Sequence, residues 1–332
     1  MIRRITTLAT ALAVFMAMAG PGALATTGQA DRARVEHERI VEFWTPARID
    51  QAIPRDFVKD GRGFTQLRER PGGGGGGRGV TGKPWTSGGQ VVETTGKILF
   101  AMAGLYYVCS GSVATESVSG RSVVVSAGHC VFDEESGQFA TNWMFIPNYD
   151  AAPAAIDTNG SFCAQTKWGC WTATSLVVHN GYASAGGFND QAVQHDWGFA
   201  VLGTGGKTNS QLDAMVGSQP VSFASVSLGT TVSAFGYPAA GKYTGDDLIY
   251  CQGPVGTDAA TNGLTYGVGC NMTGGSSGGP WFAPFDNSAG TQISVNSYGY
   301  TGVKTMFGPM FNSKTAATWN VALTTGANTI VP

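Results

Sequence analysis

Charged side chains are scarce in this chain of 332 residues, where Asp, Glu, Lys and Arg together make up 13%, about half the usual share. A protein that binds nucleic acid usually concentrates Lys and Arg on its folded part. Here residues 84 to 332 contain 14 acidic and 7 basic side chains, whereas residues 26 to 83 contain 8 acidic and 11 basic ones. The larger region therefore has a net charge near −7, and nucleic acid is excluded as a partner.

Long apolar runs are also missing. The run from Leu8 to Ala19 has 12 residues, whereas a helix needs about 20 to cross a bilayer. It follows Arg3 and Arg4 and precedes Ala23-Leu24-Ala25, which is the order of regions in a secretory signal peptide. We therefore predict a signal peptide over residues 1 to 25, a secreted, extracellular protein, and no membrane contact after its removal.

Helical periodicity is nearly absent and appears only near Lys314 to Leu323. Glycine is abundant, at 49 residues, and short β-type runs such as Ile98 to Val108 alternate with Gly, Asn and Ser. The hydrophobic share of 42% is ample for a buried core. This pattern predicts an all-β sandwich or barrel with a short C-terminal helix.

Spacings typical of metal sites do not occur, because the chain contains neither C-x-x-C nor H-x-x-x-H. We therefore expect no metal and no other cofactor. Six cysteines in a secreted chain indicate disulfides instead. The simplest pairing joins nearest neighbours, since hairpin-forming sequence separates each pair: Cys109 with Cys130, Cys163 with Cys170, and Cys251 with Cys270.

Residues 26 to 83 mix charges with a few apolar anchors, including Trp44, Ile53 and Phe57, and then reach six consecutive glycines at 72 to 77. Oligoglycine behaves as a flexible tether. We predict that residues 26 to 83 are a pro-segment that is removed, with an exposed processing region around Arg70 to Lys83. The alternative is a mobile tail that the mature protein retains.

The strongest local indication of a catalytic site is the segment Gly275-Ser276-Ser277-Gly278-Gly279-Pro280. A serine nucleophile needs an exposed Oγ on a tight turn, and a developing oxyanion needs backbone N–H donors without a Cβ in the way. The alternative is an ordinary Ser/Gly loop. None of the four histidines follows Ser277, which excludes the α/β-hydrolase order of Ser, Asp, His. The order Asp, His, Ser would place the acid in the pro-segment.

The remaining order, His, Asp, Ser, can be filled by His129 and Asp196. His129 ends an apolar strand-like run, and an imidazole can serve as a general base near neutral pH. Asp196 leads directly into the apolar run Trp197 to Leu202, so we expect a buried carboxylate that needs a partner such as imidazolium. The competing candidates, expected to be structural or surface residues, are Asp190, His179 and His195.

Taken together, these motifs resemble the chymotrypsin/trypsin-like serine endopeptidases. The matching segments are Ser126-Ala127-Gly128-His129-Cys130, Asp196-Trp197-Gly198-Phe199-Ala200-Val201-Leu202 and Gly275 to Pro280. The resemblance implies a domain over residues 84 to 332 with two six-stranded antiparallel β-barrels, at about 84–205 and 206–332. It also implies a catalytic triad of His129, Asp196 and Ser277, and an oxyanion hole formed by the N–H groups of Gly275 and Ser277.

Two further segments, Phe235-Gly236-Tyr237-Pro238 and Thr273 to Ser277, resemble the secreted bacterial branch that includes the glutamyl endopeptidases. The residue before the nucleophile is Ser276, whereas the animal enzymes have an aspartate that pairs with the new N-terminus on activation. We therefore expect the pro-segment either to block the cleft or to assist folding.

The resemblance also places the substrate-binding residues. Asn271 occupies the position at the base of the primary pocket, where it offers no counter-charge to Arg or Lys. The segment Ser297, Tyr298 and Gly299 resembles the one that binds the substrate backbone as an added strand. Val295 to Gly299 lacks the histidine of the glutamyl enzymes, so their acidic preference is not predicted either.

The sequence thus predicts a secreted, monomeric serine endopeptidase that acts on protein or peptide substrates without a cofactor. Two alternatives stay open at this stage. One is a catalytically inactive homologue that binds proteins through the same cleft, and the other is a secreted esterase that uses the same triad.

Overall fold

The computed structural model describes residues 21 to 60, 63 to 67, 82 to 118, 120 to 151 and 161 to 332. Most of the predicted signal peptide, the oligoglycine tether and the processing region as far as residue 81 lie outside these ranges. Within them, no helix is both long and apolar enough to cross a membrane.

The predicted pro-segment, named the pro-segment from here on, contains two helices and three short strands ahead of the tether, and its first helix begins within the predicted signal peptide. These elements are α1 (Pro21–Phe43), α2 (Pro46–Gln51), β1 (Ile53–Pro54), β2 (Asp56–Asp60) and β3 (Gly63–Leu67). Helix α1 corrects the expectation that helical structure is confined to the C-terminus. Side chains one turn apart form ion pairs on its exposed surface, as in Arg34 with Glu38 at 2.8 Å and Arg39 with Glu36 at 2.7 Å. Such pairs support a helix that lacks a regular apolar stripe.

The C-terminal end of α1 is docked on the domain. Ile40 and Trp44 are buried in one hydrophobic cluster with Leu99 and Met144 of the domain. The Trp44 indole donates a hydrogen bond of 2.7 Å to the carbonyl oxygen of Asn142. The end of α1 and the following Trp44 are therefore packed against the domain, with Ile40 and Trp44 buried.

The first half of the domain contains a closed barrel together with helices and short strands that are not part of it. Its elements are β4 (Lys83–Pro84), α3 (Gln90–Thr94), β5 (Thr95–Met102), β6 (Leu105–Ala114), β7 (Ser122–Ser126), β8 (Phe132–Asp133), β9 (Gln138–Phe139), β10 (Thr141–Pro147), α4 (Phe162–Gln165), β11 (Trp171–His179), α5 (Asn180–Ala183) and β12 (Gly198–Leu202). Six antiparallel strands follow the order β6-β5-β10-β11-β12-β7, and β6 pairs with β7 to close the ring. The run 98–108, expected as one strand, is a hairpin that turns at Ala103 and Gly104, whose φ values are 47° and 78°.

The second half consists of α6 (Leu212–Val216), β13 (Thr231–Gly236), β14 (Ile249–Pro254), β15 (Gly256–Thr257), β16 (Thr265–Gly269), β17 (Pro280–Phe285), β18 (Gly290–Val295), β19 (Tyr298–Tyr300), β20 (Thr305–Pro309), α7 (Ser313–Ala322) and β21 (Thr329–Val331). One sheet has the order β18-β17-β13-β14-β4 and the other β15-β16-β20-β19-β2-β3. The predicted all-β architecture and the C-terminal helix are confirmed. Two pro-segment strands extend the second sheet, which the sequence did not indicate.

All three predicted disulfides are present: Cys109–Cys130, Cys163–Cys170 and Cys251–Cys270. The first joins β6 to the short 3-10 turn Gly128–Cys130 that follows β7. The third joins β14 to the end of β16, where the two sheets of the second half meet.

Candidate active site

His129 and Asp196 meet because they lie at neighbouring strand ends. His129 follows β7, and Asp196 precedes β12, which pairs with β7 in the barrel. His129 Nδ1 lies 2.8 Å from Asp196 Oδ2, and the backbone N–H of His129 donates to Asp196 Oδ1, also at 2.8 Å. Both side chains are fully buried. The predicted histidine and carboxylate therefore form a direct, solvent-shielded pair.

Ser297 makes a contact that the sequence did not indicate. Its hydroxyl donates a hydrogen bond to Asp196 Oδ2, so both carboxylate oxygens have hydrogen-bond donors. A buried carboxylate is costly unless such partners satisfy it. Ser297, predicted as a substrate-binding residue, thus also helps to hold the carboxylate that faces His129.

The loop that carries Ser277 needs glycine at two positions. Gly275 and Gly278 have φ values of 94° and 81°, in the region that glycine adopts without strain. A Cβ on Gly278 would lie 2.0 Å from the hydroxyl oxygen of Ser126. The backbone N–H groups of Gly275 and Ser277 donate to no group in the described part of the chain, so both donors are free to bind an oxyanion.

Ser110 on β6 attaches this loop to the first barrel. Its N–H donates to the carbonyl oxygen of Ser277 at 2.7 Å, and its hydroxyl donates to that of Gly275 at 2.8 Å. Because Ser110 follows Cys109, which is bonded to Cys130, the loop that carries Ser277 and the turn that carries His129 are joined to the same stretch of β6.

Asn296 fixes the loop from the other side, which sequence reasoning missed. Its side-chain amide donates to the carbonyl oxygens of Ser276 at 3.0 Å and Phe235 at 2.8 Å, and its backbone carbonyl oxygen accepts the N–H of Gly278 at 2.8 Å. The only signal in the sequence is a polar residue after the apolar end of β18, which by itself does not reveal such a partner.

The second ring nitrogen of His129, Nε2, is buried and has no hydrogen-bond partner among the described residues, Ser277 included. Two aromatic rings contact the imidazole edge-on, Phe57 with centroids 5.4 Å apart and Phe188 at 5.6 Å. The two phenyl rings stack on each other at 3.8 Å. Phe57 belongs to the pro-segment, so the pro-segment helps to enclose the histidine.

Strand β19 contains residues predicted to bind a substrate peptide as an added strand, and strand β2 already occupies that position. In parallel register, Tyr298 pairs with Phe57, Gly299 with Val58, and Tyr300 with Lys59. The ring of Tyr298 is buried, and its hydroxyl donates to Asp258 at 2.7 Å. At Tyr298 and Gly299 it is therefore the backbone that is available for pairing, and it is paired with strand β2 of the pro-segment.

A cavity of about 360 Å³ lies beside the loop that carries Ser277. Its lining includes Asn271 to Gly274, Gly299, Tyr300, Lys242 and Lys304 from the domain, and Pro54, Asp56 and Val58 from the pro-segment. The side-chain oxygen of Asn271 accepts hydrogen bonds from the N–H of Gly82 at 2.6 Å and the hydroxyl of Tyr243 at 2.9 Å. Among the described residues that line the cavity, the one carboxylate is Asp56 of the pro-segment.

The competing residues have structural or surface contacts. The side chain of Asp190 is 56% exposed and forms an ion pair with Lys59. His179 and His195 stack on each other with ring centroids 5.0 Å apart. Within the described residues, the one group of potential metal ligands is Cys109, His129 and Cys130. Its two sulfur atoms are joined as a disulfide, so they offer no thiolate to an ion.

No protein-family model matches the chain, and no curated protein sequence does either. Solved structures do. A thermostable serine protease, AL20, from an extremophilic microorganism is 37% identical, with a TM-score of 0.60, over 71% of this chain and 99% of that one. The protease Anisep from Arthrobacter nicotinovorans is 39% identical, with a TM-score of 0.59, over 70% of this chain and 95% of that one. A Glu endopeptidase is 16% identical with a TM-score of 0.49, too distant to bear on the predicted branch.

Proposed function

Because the chain belongs to the trypsin-like serine protease family, we propose that it is a secreted endopeptidase, made as a precursor, with Ser277, His129 and Asp196 as its catalytic triad. The observation that carries this proposal is the buried His129–Asp196 pair beside a serine loop with two free N–H donors. The predicted relationship to the glutamyl endopeptidases and the monomeric state stay predictions.

Each residue has a role in the proposed mechanism. Ser277 Oγ attacks the peptide carbonyl carbon while His129 Nε2 takes its proton. Asp196 holds Nδ1 and stabilises the imidazolium, and the N–H groups of Gly275 and Ser277 bind the oxyanion. His129 then protonates the leaving amine, and water, activated by the same histidine, hydrolyses the acyl-enzyme.

The full chain represents the inactive precursor in this proposal. Strand β2 occupies the edge of β19, Phe57 covers His129, and Pro54 and Asp56 line the cavity, so a substrate peptide cannot enter the same cleft. Of the two predicted roles of the pro-segment, this arrangement supports blocking of the cleft. Docking of Trp44 in a cluster shared with the domain is compatible with assistance in folding as well.

Replacement of the nucleophile tests the assignment. Ser277→Ala in the processed enzyme should lower kcat by about 10⁶, because the reaction loses its covalent route. The matched control is Ser276→Ala, whose hydroxyl bonds only to the carbonyl oxygen of Thr273 among the described residues; it should retain activity within about tenfold.

A library of protein and ester substrates measures the loss of activity in Ser277→Ala and distinguishes a peptidase from an esterase. Hydrolysis of esters without any peptide cleavage would favour the esterase alternative. A loss below about tenfold in Ser277→Ala would refute the triad.

A further inference from the structure

Arg55 of the pro-segment is the most completely enclosed cation in the cleft. Its side chain is 4% exposed. One guanidinium nitrogen, Nη1, donates to the carbonyl oxygens of His129 and Phe132, the latter at 3.3 Å. The other, Nη2, donates to Asp133 Oδ1 at 3.0 Å and Glu134 Oε2 at 3.1 Å. Both ends of the guanidinium fork therefore have acceptors.

The domain builds the two carboxylates into fixed positions. The side chain of Glu134 is 1% exposed, and the Tyr182 hydroxyl donates a hydrogen bond of 2.5 Å to Glu134 Oε2. The Asp133 side chain is 12% exposed and accepts from the hydroxyl of Ser136 at 2.5 Å. Burial alone would lower the pKa of Arg55, but attraction by Glu134 and Asp133 raises it instead. The acceptors thus form a site that is complementary to a guanidinium group.

Processing would remove the cation and leave the site behind. Arg55 is the only basic side chain that forms an ion pair with either carboxylate in the described part of the chain. A buried carboxylate without its partner is strongly unfavourable, so the vacated site favours another cation. Because Arg55 lies on the segment that occupies the cleft, the vacated site opens onto the cleft, next to the carbonyl group of His129 itself.

Strand geometry separates this site from the cavity lined by Asn271. Side chains of an extended chain alternate between two sides. Pro54, Asp56 and Val58 line the cavity, whereas Arg55 and Phe57 contact the residues around His129 on the other side. A peptide in the cleft can therefore place one side chain in the cavity and a neighbouring one in the carboxylate site.

We infer that, in the processed enzyme, Asp133, Glu134 and the carbonyl groups of His129 and Phe132 form a second specificity subsite that binds an arginine side chain of the substrate. This inference rests on the proposed peptidase function. The subsite selects arginine over lysine, because its acceptors match a planar fork of donors, whereas an ammonium group is a compact point charge.

The test uses the full chain after processing and pairs of peptides that compete in one tube, with Arg, Lys or Leu at each position around the cleaved bond. At one position, Arg should exceed Leu by about tenfold in kcat/KM, as expected for hydrogen bonds to charged groups, and should also exceed Lys. Glu134→Gln should reduce the Arg/Leu ratio to below about threefold. Glu135→Gln, which changes the exposed neighbouring carboxylate, should leave that ratio unchanged.

Competition ratios do not depend on how much enzyme is correctly folded. If Glu134→Gln fails to fold, the wild-type ratios still show whether arginine is preferred at one position. Peptide cleavage without an arginine advantage at any position would overturn the subsite and leave the proposed function intact. An arginine advantage that Glu134→Gln retains would also overturn it. No peptide cleavage at all, together with no labelling of Ser277 by a fluorophosphonate, would overturn both.

Discussion

The pro-segment and the domain that it covers use charge in opposite ways. Charged side chains account for 19 of the 58 residues from 26 to 83, but for 21 of the 249 from 84 to 332. Charged groups of the pro-segment make many of its contacts with the domain, as in Arg55 with Glu134, Lys59 with Asp190 and Arg39 with Asn142. The domain instead relies on a closed six-stranded barrel, the two sheets of its second half, an apolar core and three disulfides. The attachment of the pro-segment is thus polar at these points and apolar at Ile40, Trp44 and Phe57, whereas all three disulfides lie within the domain.

Two buried cations, one in each region, differ in the charges around them. Arg55 enters the domain with two carboxylates around it. Lys97 of the domain is also buried, yet it has no ion-pair partner among the described residues, and its ammonium lies 3.5 Å from the ring centroid of Tyr149. The first cation is stabilised by two carboxylates of the domain in direct contact with it, whereas the second has an aromatic contact and the attraction of Asp246, with which it forms no ion pair.

Separation of the two regions should have the largest effect. Cleavage of the full chain by trypsin within residues 68 to 81, followed by dilution, should raise peptidase activity by about a thousandfold, because a tethered inhibitory strand acts at a millimolar effective concentration. Activity assays before and after cleavage measure the rise. A variant with Arg68, Arg70 and Arg78 changed to Gln should stay inactive. Equal activity of cut and uncut chains would contradict the blocked cleft.

Removal of the buried pro-segment cation should weaken the attachment. Arg55→Ala leaves two buried carboxylates unpaired, which costs about 3 kcal/mol, so the uncut precursor should show about a hundredfold more residual activity than wild type. The control is Arg34→Ala, whose ion pair with Glu38 is exposed on both sides and should contribute little. An Arg55→Ala precursor as inactive as wild type would show that the guanidinium does not hold β2 in place.

Ser297→Ala tests the polar contact that belongs to the domain's own site. Loss of its hydrogen bond to Asp196 should reduce kcat/KM of the processed enzyme by about tenfold, the usual range for a hydrogen bond to a charged group. Ser294→Ala serves as control, since that hydroxyl is also buried but bonds to the carbonyl oxygen of Pro309. Equal rates for the two variants would mean that Ser297 does not support the carboxylate.

Lys97 predicts a pH dependence of stability. Burial lowers its pKa to about 7, against an attraction by Asp246 that raises it. Between pH 7 and the unfolded pKa of about 10, the unfolded chain binds more protons than the folded one. The free energy of unfolding should therefore rise with pH in this window, by at most about 1.4 kcal/mol per pH unit.

Urea denaturation of the full chain at several pH values measures this slope. Lys97→Met should flatten it, whereas Lys207→Met, which changes an exposed lysine, should not. A slope that survives Lys97→Met would assign the pH dependence to other groups.

The sequence predicted the features that are local. His129 and Asp196 stand at the ends of apolar strand-like runs, and each disulfide joins neighbouring cysteines with a hairpin-like segment between them. Both kinds of pattern can be read without knowledge of distant contacts.

The contacts of the pro-segment could not be predicted in this way. Strand β2 pairs with β19 from the far end of the chain, and nothing within residues 56 to 60 indicates that partner. Arg55 reads as one of many charges until Asp133 and Glu134 surround it. Helix α1 was missed because its apolar residues do not form a regular stripe, so its docking on the domain could not be read from the pattern.

Labelling of Ser277 by a fluorophosphonate tests the central claim most directly. The probe reacts only with a serine that has an accessible Oγ and a functioning base. We expect no labelling of the intact full chain, stoichiometric labelling after cleavage within residues 68 to 81 and dilution, and a modified residue that peptide mapping assigns to Ser277. Equal labelling of the intact and cleaved chains would contradict the blocked cleft, and no labelling of either would contradict the catalytic site.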